Sequence, residues 1–216
     1  MTPAYWNEAK THLSKHDKVL GKIIKTYKGE ILTSRGDAFY TLARSIAGQQ
    51  ISVKAADTIW KRLEDALNNP HPTLSLKGRG ITPQNMLATA PEILRSTGLS
   101  TQKVTYMHAL SQHFAENEKR IKNLHKFDDE EIIAELTSVK GLGRWTVEMF
   151  LIFHMGRPDV LPLADIGLQK AIFKHYNKGE KLPKAKLITL AEPWKPYRSV
   201  ATWYLWRSLD PIPVEY

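Results

Sequence analysis

Leu136-Thr137-Ser138-Val139-Lys140-Gly141-Leu142-Gly143-Arg144-Trp145-Thr146 is the stretch on which the reading of this chain turns. One helix pattern ends at two glycines that bracket a single apolar residue, and a second begins at once. Glycine there permits positive φ and close backbone approach. The new helix offers N–H groups and the positive end of its dipole at its N-terminus, a small cup suited to one anion. Leu142 would pin the turn to the core while the amides face outward. Gly-x-Gly alone is common, and an ordinary tight helix–helix connection explains the fragment equally well.

Working outward, the apolar period is helical nearly everywhere. Trp6, Leu13, Leu20, Ile23 and Ile24 fit one long first helix, broken around Gly29–Thr33. Asp37 is placed to cap a helix through Phe39, Leu42, Ala43 and Ile46, which Gly48-Gln49-Gln50 interrupts. Ser52 can cap the next, with Val53, Ile59, Trp60 and Leu63. Asn68–Gly80 reads as loop. Thr82-Pro83 has the form of a cap followed by proline at the first helical position. A short helix from Pro91 closes at Gly98, and Ser100 opens another with Val104, Met107, Leu110 and Phe114 on one face. Asp128 to Thr137 carries acidic residues in its first turn, where the dipole favours them. Further helices precede Gly156, start near Asp165 and run Tyr197–Leu209. No strand or repeat is evident. The expected class is all-α, about ten helices.

Bulk properties bound the function. The chain of 216 residues supports one domain or two small subdomains. Its longest apolar run, Met149–Met155, is too short to span a bilayer, and residues 1–16 do not look like a signal peptide, so an intracellular location is expected. No cysteine is present, which excludes disulfides, iron–sulfur clusters, thiolate nucleophiles and thiolate zinc sites. A net charge of +9 favours a polyanionic partner. The Lys and Arg residues are dispersed, so a folded surface would have to gather them.

The fuller pattern Val139-x-Gly141-Leu142-Gly143-x-x-Thr146 resembles the helix-hairpin-helix motif of DNA-repair glycosylases. In that superfamily a Pro-rich loop and an essential Asp follow, and Leu161-Pro162-x-x-Asp165-x-Gly167 stands in that place here. The resemblance is closest to the alkylbase branch, the 3-methyladenine DNA glycosylase II proteins. It implies two helical subdomains with an active-site cleft between them: a continuous one over residues 37–156, and a discontinuous one of residues 1–36 with 157–216 carrying the Asp. Asp165 in isolation would read as a plain helix cap. The resemblance makes it the catalytic carboxylate. Breaking an N-glycosidic bond builds oxocarbenium character on the sugar, which a carboxylate stabilises while orienting water. A ring-methylated purine is already cationic and leaves without a dedicated acid. Bifunctional relatives carry a Lys where this chain has Trp145, and Schiff-base chemistry needs that amine. Hydrolysis without lyase activity is therefore expected.

The same resemblance assigns further residues. Val139, Gly141, Gly143, Arg144 and Thr146 would bind a DNA phosphate. Gly48-Gln49-Gln50-Ile51-Ser52 matches a segment that in relatives fills the gap left by a flipped base, with Gln50 favoured over Gln49 as the wedge and Ser52 beside them in the minor groove. Capping of neighbouring helices is the competing reading for the glutamines. Of six tryptophans most suit a core, while Trp145 and Trp206, with Met149, match positions lining the base pocket. Met149 stands where some relatives carry an aromatic residue. Arg198 either pairs with Asp159 or contacts phosphate, and Gly98-Leu99-Ser100-x-x-Lys103 reads as a helix junction whose amides and Lys103 touch the DNA backbone.

No metal site of side chains is expected. His12 and His16 are spaced for one but lack a third ligand, and Asp128–Glu131 reads as helix-start chemistry. No cofactor is required, although the resemblance leaves room for a monovalent cation, Na+ or K+, at the hairpin carbonyls. The expected partner is double-stranded DNA containing alkylated purines of the 3-methyladenine and 7-methylguanine type, bound by a monomer, in the cytoplasm or nucleoid of a bacterium or the nucleus of a eukaryote. The competing functions are an inactive helix-hairpin-helix DNA-binding module and a glycosylase for deaminated or oxidised bases.

Overall fold

The computed structural model describes residues 3–29, 32, 37–68 and 80–209, and is helical with no strand among them. The elements are α1 (Trp6–His16), α2 (Lys18–Thr26), α3 (Ala38–Gly48), α4 (Val53–Asn68), α5 (Pro83–Ala88), α6 (Pro91–Ser96), α7 (Thr101–Glu116), α8 (Glu118–Ile121), α9 (Asp129–Thr137), α10 (Arg144–Phe153), α11 (Ile166–Tyr176), α12 (Lys184–Ala191) and α13 (Arg198–Arg207). Short 3₁₀ turns lie at Leu124–Lys126 and Glu192–Trp194. The expected break around Gly29–Thr33 and the expected loop Asn68–Gly80 fall largely outside the described residues, although Asn68 is the last residue of α4.

The expected single first helix is two. Asp17 leaves helical geometry, at φ −140° and ψ 110°, and its Oδ1 accepts from the amides of Val19 and Leu20 to cap α2. Its Oδ2 accepts from the Tyr176 hydroxyl at 2.7 Å and Trp194 Nε1 at 2.8 Å. Burial of the Tyr176 phenol, and then the Asp17 carboxylate it donates to, push that phenol well above its usual range. Other caps follow their residue types. Asp37, Thr82 and Ser100 each accept from the first turn of α3, α5 and α7, and Asp128 with Glu131 forms a reciprocal capping box on α9.

Two compact units emerge from the contacts: residues 36–147, and residues 1–35 with 148–216. The division lies inside α10, before the Gly156 expected from sequence, because the later turns of α10 join the second of these units. There Phe153 stacks on Trp206, with centroids 5.7 Å apart and planes 12° from parallel, and the Leu151 carbonyl accepts from the Arg157 amide.

In residues 36–147, α7 is the central helix, packed by α3, α5 and α6, with α4 against α3. Leu42, Ile46, Leu63, Met86, Met107 and Leu110 are fully buried. In the other unit, α1, α2 and α11 pack on α13. Trp6 sits edge-on to Trp203 at 5.2 Å and stacks near Tyr204. Trp6, Trp60, Trp194 and Trp203 are all buried, as core packing predicts for most of the tryptophans. Trp145 and Trp206, the two singled out from sequence, are the ones that keep exposure.

Candidate active site and nucleic-acid interface

Asp165 ends the Pro-rich loop and caps α11. Its amide donates to the Pro162 carbonyl, and its Oδ1 accepts from the Leu168 amide at 2.6 Å. The same oxygen accepts from Trp206 Nε1 at 2.7 Å. The residue is 8% exposed. Two N–H groups thus hold one carboxylate oxygen, one from its own helix and one from α13. Gly167 is the small residue this arrangement needs. A Cβ there would stand 3.1 Å from Asp165 Oδ1 and 3.2 Å from Trp206 Cδ1. Gln169 Nε2 donates to the Leu163 carbonyl at 2.7 Å and closes the loop from the other side.

The approach to Asp165 is fixed at its start by Asp159 and Arg198. Arg198 Nε donates to Asp159 Oδ1 at 2.7 Å and Nη2 to Oδ2 at 2.9 Å, a two-pronged pair. Ser199 reinforces it, its amide donating to the Pro158 carbonyl and its Oγ accepting from the Val160 amide. Of the two readings of Arg198, pairing with Asp159 is the one observed. Ile166, directly after Asp165, is 67% exposed, and Met149 is buried.

The hairpin belongs to residues 36–147. Val139 and Leu142 are buried, and the Leu142 amide donates to the Val139 carbonyl. Gly141 has φ +98°, and a Cβ on it would fall 2.3 Å from Tyr106 Cγ. Only glycine satisfies both conditions. Gly143 is exposed, and a Cβ there would meet nothing within 4 Å, so its face of the turn is open. The Gly143 carbonyl accepts from the Val147 amide, which starts α10. Trp145 is 37% exposed, whereas the Thr146 side chain is buried. Arg144 makes a two-pronged pair with Glu130, Nη1 to Oε2 at 3.0 Å and Nη2 to Oε1. That guanidinium holds the Glu130 carboxyl below its usual range.

The two glutamines separate cleanly. Gln49 Nε2 donates to the Gly141 carbonyl at 2.9 Å, joining this loop to the hairpin. Gln50 is exposed and left-handed, at φ +59°. Ser52 caps α4 through the Ala55 amide at 3.3 Å. Ile51 on the same loop and Val53 at the start of α4 expose apolar side chains. Lys103, expected at the DNA backbone, meets two carbonyls within the protein. Its Nζ is taken up by the carbonyls of Ala47 at 2.8 Å and Gln49 at 2.7 Å, and burial lowers its pKa. Spacing alone placed Lys103 near this junction, but not the carbonyls that claim it.

His12 Nε2 lies 3.2 Å from the Pro193 carbonyl and His16 Nδ1 2.8 Å from the His12 carbonyl. Among the described residues no group of three His, Asp or Glu side chains could hold a metal ion, and no helix is long and apolar enough to cross a membrane. For a cation at the hairpin the donors would be backbone carbonyls. Those of Val139 and Gly141 each accept one hydrogen bond and keep a second lone pair, so the donor set fits a hard monovalent ion.

Known proteins share this fold. DNA-3-methyladenine glycosylase 1 of Schizosaccharomyces pombe is 31% identical over 206 residues, covering 93% of this chain and 86% of that protein. A solved DNA-3-methyladenine glycosidase from Bacillus halodurans superposes with a TM-score of 0.81 at 33% identity, covering 93% of this chain and 88% of that one. The solved S. pombe 3-methyladenine DNA glycosylase, in complex with abasic DNA, gives 0.76 at 28% identity, covering 93% and 96%. Residues 43–196 match the family described as HhH-GPD superfamily base excision DNA repair protein, a span that runs from the glutamine loop through the hairpin and Asp165 to Pro196. The chain belongs to the HhH-GPD superfamily of base excision DNA repair proteins.

Proposed function

We propose that this chain is a monofunctional DNA glycosylase that hydrolyses the N-glycosidic bond of alkylated purines in duplex DNA, the first step of base excision repair. The observation that carries the reading is the Asp165 carboxylate, nearly buried and held by the Leu168 amide and the Trp206 indole. A cap alone would not call for an indole donor from another helix. Held this way, the carboxylate has a defined direction in which to meet charge developing at C1′ of the sugar and to orient a water.

The remaining residues fall into roles around that step. The open hairpin at Gly143, with the first turn of α10, takes one phosphate, and Arg144 adds charge beside it. The side chains of Val139 and Thr146 serve the core, so their share in phosphate binding goes through backbone groups. Hairpin carbonyls would hold Na+ or K+, which would add positive charge near the phosphate. Gln50, exposed and left-handed, is the wedge, while Gln49 anchors its loop. The target base must leave the stack. Trp145 offers an exposed indole face to a cationic purine, by stacking and cation–π attraction. The relatives named DNA-3-methyladenine glycosylase support an alkylated purine as substrate. With Trp145 in place of a lysine, the strand is left intact. The chain acts as a monomer on DNA, hence inside the cell, in the nucleoid or nucleus according to source.

The test is release of methylated bases from methylated duplex by wild type and by Asp165→Asn. Asparagine keeps an oxygen able to cap α11 and removes the charge. Release by wild type and none by the variant is expected. Equal release by both overturns the role of Asp165, and binding without release by wild type favours the inactive DNA-binding module.

A further inference from the structure

Within residues 36–147, α7 ties two loops together. Lys103 Nζ donates to the carbonyls of Ala47 at 2.8 Å and Gln49 at 2.7 Å. These lie at the C-terminal end of α3, where helix geometry leaves carbonyls without donors and the dipole favours a cation. Less than one turn further on, Tyr106 packs so tightly on Gly141 that no Cβ fits between them. Gln49 closes the third side, its Nε2 donating to the Gly141 carbonyl. Gln49 is therefore held at both ends, its carbonyl by Lys103 and its side chain by the hairpin. The next residue is Gln50, exposed at φ +59°. A left-handed non-glycine residue is strained and persists where its surroundings over-determine it.

We propose that Lys103 is a positioning residue of base flipping: through the Ala47 and Gln49 carbonyls it holds the Gly48–Ser52 loop so that Gln50 projects in its wedge conformation. The inference rests on the reading of Gln50 as the wedge. It takes the place of a phosphate contact as the main role of Lys103, because two of the three ammonium donors are already committed to these carbonyls.

The experiment uses full-length Lys103→Met, Gln50→Ala and the double variant. Single-turnover base release from methylated duplex is measured beside affinity for undamaged duplex across a salt series, and amide exchange over residues 49–52. Lys103→Met should slow release about tenfold, the scale of one charge-assisted hydrogen bond, with affinity and salt slope unchanged and faster exchange in the loop. In the Gln50→Ala background it should slow release by no more than about twofold further, since both changes act through one wedge. If Lys103→Met instead weakens undamaged-duplex binding and lowers the salt slope by about one, Lys103 is a phosphate contact and the inference fails. If Gln50→Ala is slow and the two losses multiply, the Lys103 role alone fails. If Gln50→Ala releases base at the wild-type rate, the wedge reading fails and takes the inference with it. Unchanged exchange in Lys103→Met overturns the positioning role even in a chain that releases nothing. Should Lys103→Met not fold, Lys103→Gln, which keeps an N–H donor, carries the same comparisons with a smaller expected loss.

Discussion

Gly167→Ala separates stability from chemistry at a single methyl group. Gly167 is the second residue of α11, and alanine in place of glycine favours a helix by about 0.5–1 kcal/mol. Against this, the new Cβ would stand 3.1 Å from Asp165 Oδ1, 3.2 Å from Trp206 Cδ1 and 3.3 Å from Trp206 Nε1. Neighbours at that range must yield by a few tenths of an ångström. Neither yields freely: the carboxylate is held by two N–H groups, and the indole is stacked on Phe153. The two terms nearly cancel in stability, so the melting temperature should move by no more than about 2–4 °C. They do not cancel in catalysis, because the displaced atom is the charge meant for the sugar. Misplacement by about 1 Å costs about a hundredfold, so a few tenths should slow single-turnover release of methylated purines about tenfold. Affinity for undamaged duplex should be unchanged. A variant that melts normally and releases base at the wild-type rate would refute the claim that the Asp165–Trp206 geometry sets the rate.

The hairpin glycines should respond oppositely: Gly141→Ala, clashing with Tyr106 at positive φ, should destabilise the chain by about 2 kcal/mol or more in denaturant melts, whereas Gly143→Ala should leave stability alone and weaken duplex binding. Glu130→Gln removes a carboxylate competing for Arg144, so undamaged-duplex affinity should rise a few-fold at low salt and the gain should shrink as salt is added; weaker binding would assign Glu130 to orienting Arg144 instead. Burial and then the Lys174 charge hold the His175 imidazole below its ordinary value of 6.5. The folded chain therefore binds fewer protons than the unfolded one below that value, stability falls as pH drops through the window, and His175→Gln should flatten the melting temperature between about pH 7 and pH 5.

What the sequence revealed and what it hid divide along physical lines. Caps were legible because one side chain and its own helix suffice, as with Asp37, Thr82, Ser100 and Asp128. The hairpin was legible because its two glycines stand between Val139 and Thr146 and ahead of the Asp165 motif; Gly-x-Gly alone suits any tight helix–helix turn. Asp17 was not: the apolar period runs through it undisturbed, and its cap on α2 is reinforced by Tyr176 and Trp194 from far along the chain. α12 was also missed, since its short span follows a Lys- and Pro-rich stretch that reads as loop. At the site, Asp165 was found by its motif, but the Trp206 indole that holds it and the Gly167 that makes room for both are tertiary facts. The partners of Lys103 were hidden for the same reason: a lysine beside a helix junction does not reveal, in sequence, the Ala47 and Gln49 carbonyls it meets.

Asp165 answers to two masters, a helix that needs an acceptor at its start and a reaction that needs an anion. Aspartate, asparagine, serine and threonine all satisfy the first; only the acid satisfies the second. A library at position 165 sorted for folded protein should therefore retain four residue types, and the same library sorted for survival under alkylation should retain one. The gap between the two outcomes is a direct reading, at one codon, of how far the demands of architecture and of repair overlap.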